Sequence, residues 1–292
     1  AAGKSNVALW LAERHHVTIV SADSRQVYRG FDVGTAKPTA QEQARVPHRG
    51  IDVVEPTERY SAAAWAAGAA DWMAEAAVAG RAPLVVGGTG LYVRALFEPL
   101  FEEPPLGPTR RRALEVVLGR LPLPELQRWC AALDPARAHL GRTQLLRAIE
   151  VALLTGRRLS ALHAERRRPA RRRARYLVVD PGPSLHERIA RRTAAMLDEG
   201  WPEEVESLVR RVPPTAPAWN ASGYGHVRDL VEGRLSRQAA QEAIVIETRQ
   251  YAKRQRTWFR HQLPAESVRL VDPSAPDWEA VVDTWWNEER TP

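Results

Sequence analysis

The chain has 292 residues, 44% of them hydrophobic, which is enough for one large or two ordinary domains with a sizeable core. No apolar run approaches the roughly 20 residues a membrane helix requires, and the single Cys130 rules out an internal disulfide or a cysteine-based zinc cluster, so a globular protein of the reducing cytoplasm is expected. A formal charge of +7 and a pI near 10.0 point to an anionic partner, nucleic acid or phosphate; the near absence of Lys beside abundant Arg also fits a GC-rich coding bias, and both readings stand at this point.

In chain order, AAGKS (Ala1 to Ser5) reads as the second half of a phosphate loop, and SNVALWLAER supplies the helix such a loop must open. Gly3 would allow close backbone approach, Lys4 would neutralise phosphate oxygens and Ser5 would offer a hydroxyl to Mg²⁺, although GKS alone is common by chance. Short β-branched runs follow at Val17 to Asp23, Ile51 to Pro56, Pro83 to Gly88 and Tyr176 to Asp180, the pattern of parallel strands covered on both faces. Helix candidates lie at Asn6 to Arg14, Ser61 to Gly80, Gly90 to Phe97 and Arg237 to His261. This alternation predicts an α/β fold with a parallel sheet. Between Thr109 and Arg173 only helical patterns remain, including PELQRWCAAL and TQLLRAIEVALLTG, so 109–173 is expected to be an inserted helical subdomain in a core formed by 1–108 and 174–292.

Three stretches carry candidate chemistry. In SADSRQVYRGFDVGTAKP, Asp23 ends a strand where open α/β sheets bind ligands, and Ser24, Arg25, Gln26 and Tyr28 add donors, an amide and an aromatic ring suited to a base; Gln pairs bidentately with adenine. The alternative is a turn capped by Asp23 and Ser24. PLVVGGTGLY leads a buried strand into Gly87 and Gly88, then Thr89 at a helix start, where hydroxyl and helix dipole could face an anion. ETRQYAKRQRTWFRHQ sets Arg249, Lys253, Arg256 and Arg260 on roughly one helical face, a phosphate surface or simply a solvated one. The cluster from Arg166 to Arg175 offers further phosphate contacts, or a basic linker broken by Pro169.

These stretches, with LLRAIEV and LHERIARRTAAMLDEGWPEEV, resemble the tRNA dimethylallyltransferase (isopentenyl transferase) family in the family's own order from end to end; DSRQVYRG, GTAKP and AKRQRTWFR are the most specific. Chains of that family begin with a strand and a GPT-like tripeptide before AAGKS, so the resemblance implies that this sequence starts after them. It also implies a P-loop NTPase-like core, and transfer of a dimethylallyl group from dimethylallyl diphosphate to the exocyclic amine of the adenosine beside the tRNA anticodon. By resemblance, Gly3, Lys4 and Ser5 with Mg²⁺ hold the diphosphate, helped by Thr89 and Arg192. Asp23 acts as general base, with Thr89 beside it in the catalytic set, while Ser24, Arg25 and Gln26 contact the adenine. Arg111 and the run Thr143, Gln144, Leu145, Leu146 and Arg147 correspond to tRNA contacts, as do Arg249, Lys253 and Arg254. The implied partners are the tRNA anticodon stem-loop and dimethylallyl diphosphate, with no membrane, and a monomer is expected.

The sequence departs from the family pattern at Gly141 and Gln144, where an Asp and an additional Arg are usual, and at Thr193, where Phe is usual. Two rivals remain on sequence grounds. A small-molecule phosphotransferase would explain GKS and the sheet but leaves DSRQVY unexplained; a tRNA-binding protein without activity would explain the basic stretches alone.

Overall fold

A computed structural model describes residues 1–97, 107–165 and 174–288. They fall into two compact units, Ala1–Leu96 with Arg172–Pro292, and Phe97–Arg171; the sequence boundaries were placed instead at 109 and 173. The first unit opens with α1 (Lys4–Arg14), β1 (Val17–Ser21), α2 (Ala40–Arg45), β2 (His48–Arg49), α3 (Ala62–Val78), β3 (Ala82–Val86) and α4 (Gly90–Phe97). The second contains α5 (Pro108–Gly119), α6 (Leu123–Leu133), α7 (Arg142–Thr155) and α8 (Leu159–Glu165). The chain then returns through β4 (Tyr176–Val179), α9 (Leu185–Asp198), α10 (Trp201–Arg211), α11 (Tyr224–Val231), α12 (Arg237–Gln262), β5 (Val268–Val271) and α13 (Trp278–Asn287).

Among the described residues every strand pair is parallel, in keeping with the α/β reading. The first sheet has the order β2-β1-β3, and β1 is buried along its whole length, so an uninterrupted Val-Thr-Ile-Val run is what its place demands. Val7, Leu11 and Ala12 of α1 pack on Val17 and Ile19, and the same core takes in Val271, Val282 and Trp285.

Two strand expectations are corrected. Ile51 to Pro56 does not form a strand; the pairing strand is the two-residue β2, and only Val54 makes a lone parallel bridge, to Tyr28. Asp52 there has φ 51, a left-handed turn that breaks extended geometry. Nor does the strand at Tyr176 pair with β1 to β3 among the described residues; it pairs with β5, which the sequence reading missed, in a separate two-stranded sheet. β5 leaves Leu270 largely exposed, so its pattern carries no buried apolar run.

In the helical unit, Leu118, Leu126, Cys130, Leu145, Ile149, Leu159 and Leu162 form one core, the stripe expected of amphipathic helices. Asp134, fully buried, accepts from Ser160 N (2.9 Å) and Ser160 Oγ (2.5 Å) and so caps the start of α8.

Candidate active site

The C-terminal ends of β1 and β3 and the N-terminus of α1 converge within the first unit. Gly3 caps α1 with φ 95, a left-handed geometry that favours glycine and leaves the first backbone N–H groups of the helix free for an anion. Burial pulls the Lys4 ammonium below its ordinary pKa, Asp23 opposes that shift, and Arg192 reinforces it. Arg192 is likewise lowered by its protein surroundings and raised by Asp23; it keeps an open surface, which damps that shift by solvent screening. A carboxylate and two cations therefore share one electrostatic site, in which the cations lack a full complement of negative charge.

Local hydrogen bonds fix the carboxylate. Trp65 Nε1, buried, donates to Ser21 O at 2.9 Å and holds the end of β1. Asp23 Oδ1 accepts from Arg25 N at 2.8 Å, the Asx turn that the capping alternative anticipated. One oxygen is thereby engaged in the turn. Ser24 N donates to Thr89 Oγ1 at 3.0 Å, and Thr89 Oγ1 donates to Ser24 Oγ at 3.3 Å, so the two strand ends are tied through the residues expected to act.

Gln26 is placed differently from its expected role. Its Oε1 accepts from Ser21 Oγ (2.8 Å), and its Nε2 donates to Thr35 O (3.1 Å) and Ala36 O (2.9 Å). The amide is occupied in holding the 31–37 loop and does not face a base. Lys37, the second lysine of the chain, lies in the same loop and donates to Tyr28 O (2.5 Å), Asp32 Oδ1 (2.6 Å) and Asp52 Oδ1 (2.5 Å). Glu204 of α10 accepts from Asp32 N (2.9 Å), Val33 N (2.7 Å) and the Tyr224 hydroxyl (2.6 Å). Lys37 and Glu204 went unread in the sequence; the charged residues of GTAKP and GWPEE were the available signal.

The arginine-rich stretches separate into structural and open groups. Arg249, Lys253 and Arg254 are exposed on α12, and Arg254 lies over the Tyr251 ring. Arg256, read as part of the same face, instead turns inward to Asp180 and Gly182 O. Arg171, Arg172 and Arg173 lie outside the described residues, whereas Arg175 donates to Glu288 O (3.0 Å) and Trp286 O (3.2 Å) at the end of α13. In the helical unit Leu145 is fully buried and Leu146 packs on the same core, so the Leu145 side chain cannot reach a tRNA. Arg111 and Arg147 both pair with the buried Glu150, Arg111 at 2.5 Å. Gln144 Oε1 accepts from Gly141 N at 3.2 Å and closes the start of α7, with Thr143 exposed beside it. Thr193, where the family pattern has Phe, is buried and donates to Ile189 O at 2.9 Å.

Among the described residues no group of three or more His, Cys, Asp or Glu side chains is arranged to hold a metal. Ser5 is exposed at the first turn of α1. This donor set fits Mg²⁺ of the kind that keeps waters and takes most of its oxygens from a phosphate substrate.

Residues 26–262 match the family model described as IPP transferase. The chain belongs to the IPP transferase family. It is 42% identical over 273 residues to the tRNA dimethylallyltransferase of Deinococcus radiodurans, covering 91% of this chain and 89% of that protein. With the Burkholderia ambifaria tRNA dimethylallyltransferase it shares 41% over 289 residues, covering 95% and 88%. Among solved structures, the tRNA isopentenylpyrophosphate transferase of Bacillus halodurans matches with a TM-score of 0.64 and 33% identity over 93% of this chain and 86% of that one. The Staphylococcus epidermidis enzyme matches with 0.66 and 28% over 97% and 93%. A eukaryotic dimethylallyltransferase acting on tRNA shares the fold, with a TM-score of 0.77 at 22% identity over 93% of this chain and 71% of that one. This IPP transferase is thus a transferase with a P-loop NTPase-like core. No helix among its described residues is long and apolar enough to cross a membrane.

Proposed function

We propose that the chain transfers a dimethylallyl group from dimethylallyl diphosphate to the N6 amine of the adenosine 3′ to the anticodon of tRNA, working as a monomer in the cytoplasm. The observation that carries this reading is the Asp23 carboxylate, fixed by Arg25 N next to the Ser24–Thr89 link, with Lys4 and Arg192 close enough to feel its charge. The two cations and the α1 N-terminus bind the diphosphate, and Thr89 stands beside it. N6 attacks C1 of the allylic chain, the C1–O bond breaks, and diphosphate departs with the bonding electrons while held by Lys4 and Arg192. The proton released from N6 passes to the Asp23 carboxylate.

Ser5 would hold Mg²⁺, which would supply charge neutralisation to the leaving group. Adenine inside a helical stack cannot reach this site, so the base must be extruded toward Asp23. Ser24 and Arg25 meet it in this reading, with Gln26 shaping the loop that they start. Arg249, Lys253 and Arg254, with Arg111 and Arg147, bind tRNA phosphates.

Mass spectrometry of tRNA nucleosides after incubation with dimethylallyl diphosphate and Mg²⁺ tests the reading. Isopentenyladenosine should appear in step with released diphosphate. Consumption of a nucleoside triphosphate with no modified adenosine would return the chain to the phosphotransferase alternative.

A further inference from the structure

The face of α12 formed by Tyr251, Gln255 and Trp258 lies directly against the GGTG turn that carries Thr89. Gln255 Nε2 donates to Gly88 O at 2.8 Å. A Cβ added at Gly88 would lie 2.0 Å from that amide and would displace it, and one at Gly90 would lie 2.3 Å from the Trp258 ring, so the turn packs closely on this stripe. The spacing i, i+4, i+7 keeps all three side chains on one stripe. The Tyr251 hydroxyl lies within reach of the Thr89 and Gln255 side chains, both of which favour its oxygen as acceptor, while burial beside the Asp23 charge raises its pKa and keeps it protonated.

Gln255 has two amide hydrogens, one taken by Gly88 O, which leaves the second for the Tyr251 oxygen. Thr89 Oγ1 receives Ser24 N, and its hydroxyl lies between Ser24 Oγ and the Tyr251 oxygen, so it links the two.

We infer that Tyr251 and Gln255 are positioning residues for the prenyl-transfer step, holding the Thr89 hydroxyl, and through it Ser24 beside Asp23, in the geometry the diphosphate and adenine require. The inference rests on the reading of Thr89 as part of the diphosphate site. It makes α12 more than a carrier of positive charge: the helix that presents Arg249, Lys253 and Arg254 outward orders the catalytic turn with its inner face.

A double-mutant cycle on single-turnover prenylation tests it. Tyr251→Phe removes one hydroxyl and keeps the ring, and should slow transfer about tenfold with tRNA affinity within about threefold and a folded protein by thermal melt. Thr89→Val should be slow by itself, and adding Tyr251→Phe to it should cost almost nothing more. Gln255→Met should behave as Tyr251→Phe does. A full additional loss in the Thr89→Val background, a loss confined to tRNA affinity, or an unchanged rate in Tyr251→Phe each overturns the positioning role. A slow Thr89→Val beside a normal Tyr251→Phe removes that role alone; a Thr89→Val enzyme of normal rate removes the diphosphate role of Thr89, and the positioning role with it.

Discussion

Lys4 sits where charge is costly until an anion arrives. Its folded pKa lies below the ordinary lysine value because of burial and the nearby Arg192, so in the unliganded protein the ammonium opposes folding below that lowered pKa, and the cost is relieved as pH rises through it toward the unfolded value. A bound diphosphate acts in the opposite sense and favours the charged form. Donor affinity should therefore fall as pH is raised through the lowered pKa, over the same window in which the unliganded fold gains stability. Lys4→Met should weaken donor binding and flatten both trends, as read by calorimetric titration and thermal melts across pH. A parent enzyme whose donor affinity is independent of pH up to the ordinary lysine value would contradict this account of Lys4. At this scale the placement of Asp23, Thr89 and Lys4 was legible because strand-end and helix-start positions are local features. Gln26 and Lys37 were not: the partners that occupy them, Thr35 O, Ala36 O and Asp52, are set by how the loop folds back, which no spacing reveals.

At the scale of elements, Glu150 joins α5 to α7 by holding Arg111 and Arg147 from a buried position. Removing its charge leaves two arginines competing for one neutral amide. Breaking a fully buried pair costs about 3–5 kcal/mol; both arginines here are partly exposed, so Glu150→Gln should destabilise the protein by about 2 kcal/mol. The variant should also bind tRNA less tightly, since neither guanidinium is then fixed. Denaturant unfolding and tRNA titration check both, and an unchanged midpoint would show that the ion pair contributes nothing. Helices were the most legible elements, α12 running from Arg237 to Gln262 against an expected end at His261. Strands were less so. β1 and β3 are ordinary apolar runs, whereas β2 has two residues and β5 alternates Arg269 and an exposed Leu270 with buried Val271, so neither carries a pattern that separates a strand from a loop. The inner stripe of α12 was hidden for another reason: Gln255 meets Gly88 across 167 residues of chain.

For the whole molecule, the net charge of +7 is divided between structural and available cations. Arg256 and Arg175 tie chain segments together, and Arg249, Lys253 and Arg254 face solvent. Replacing Arg249 and Lys253 by Ala should flatten the dependence of log tRNA affinity on log salt by somewhat under about one unit each. Arg256→Ala should lower thermal stability with little change in that slope. Equal slopes for all variants would return the α12 face to plain solvated surface. The basic composition could not make this division, because a guanidinium tied to Asp180 and one open to solvent read alike in sequence.

Asp23→Asn under single-turnover conditions, with enzyme in excess over tRNA and donor saturating, tests the central claim most directly. Asn keeps the shape and the turn bond from Arg25 N, so tRNA and donor should bind within a few-fold of the parent, but it cannot take the proton from N6. The rate of isopentenyladenosine formation should fall roughly 10²- to 10⁴-fold. A rate within about threefold of the parent, at a temperature where both proteins are folded, would remove Asp23 from the chemistry and leave it as the cap of a turn.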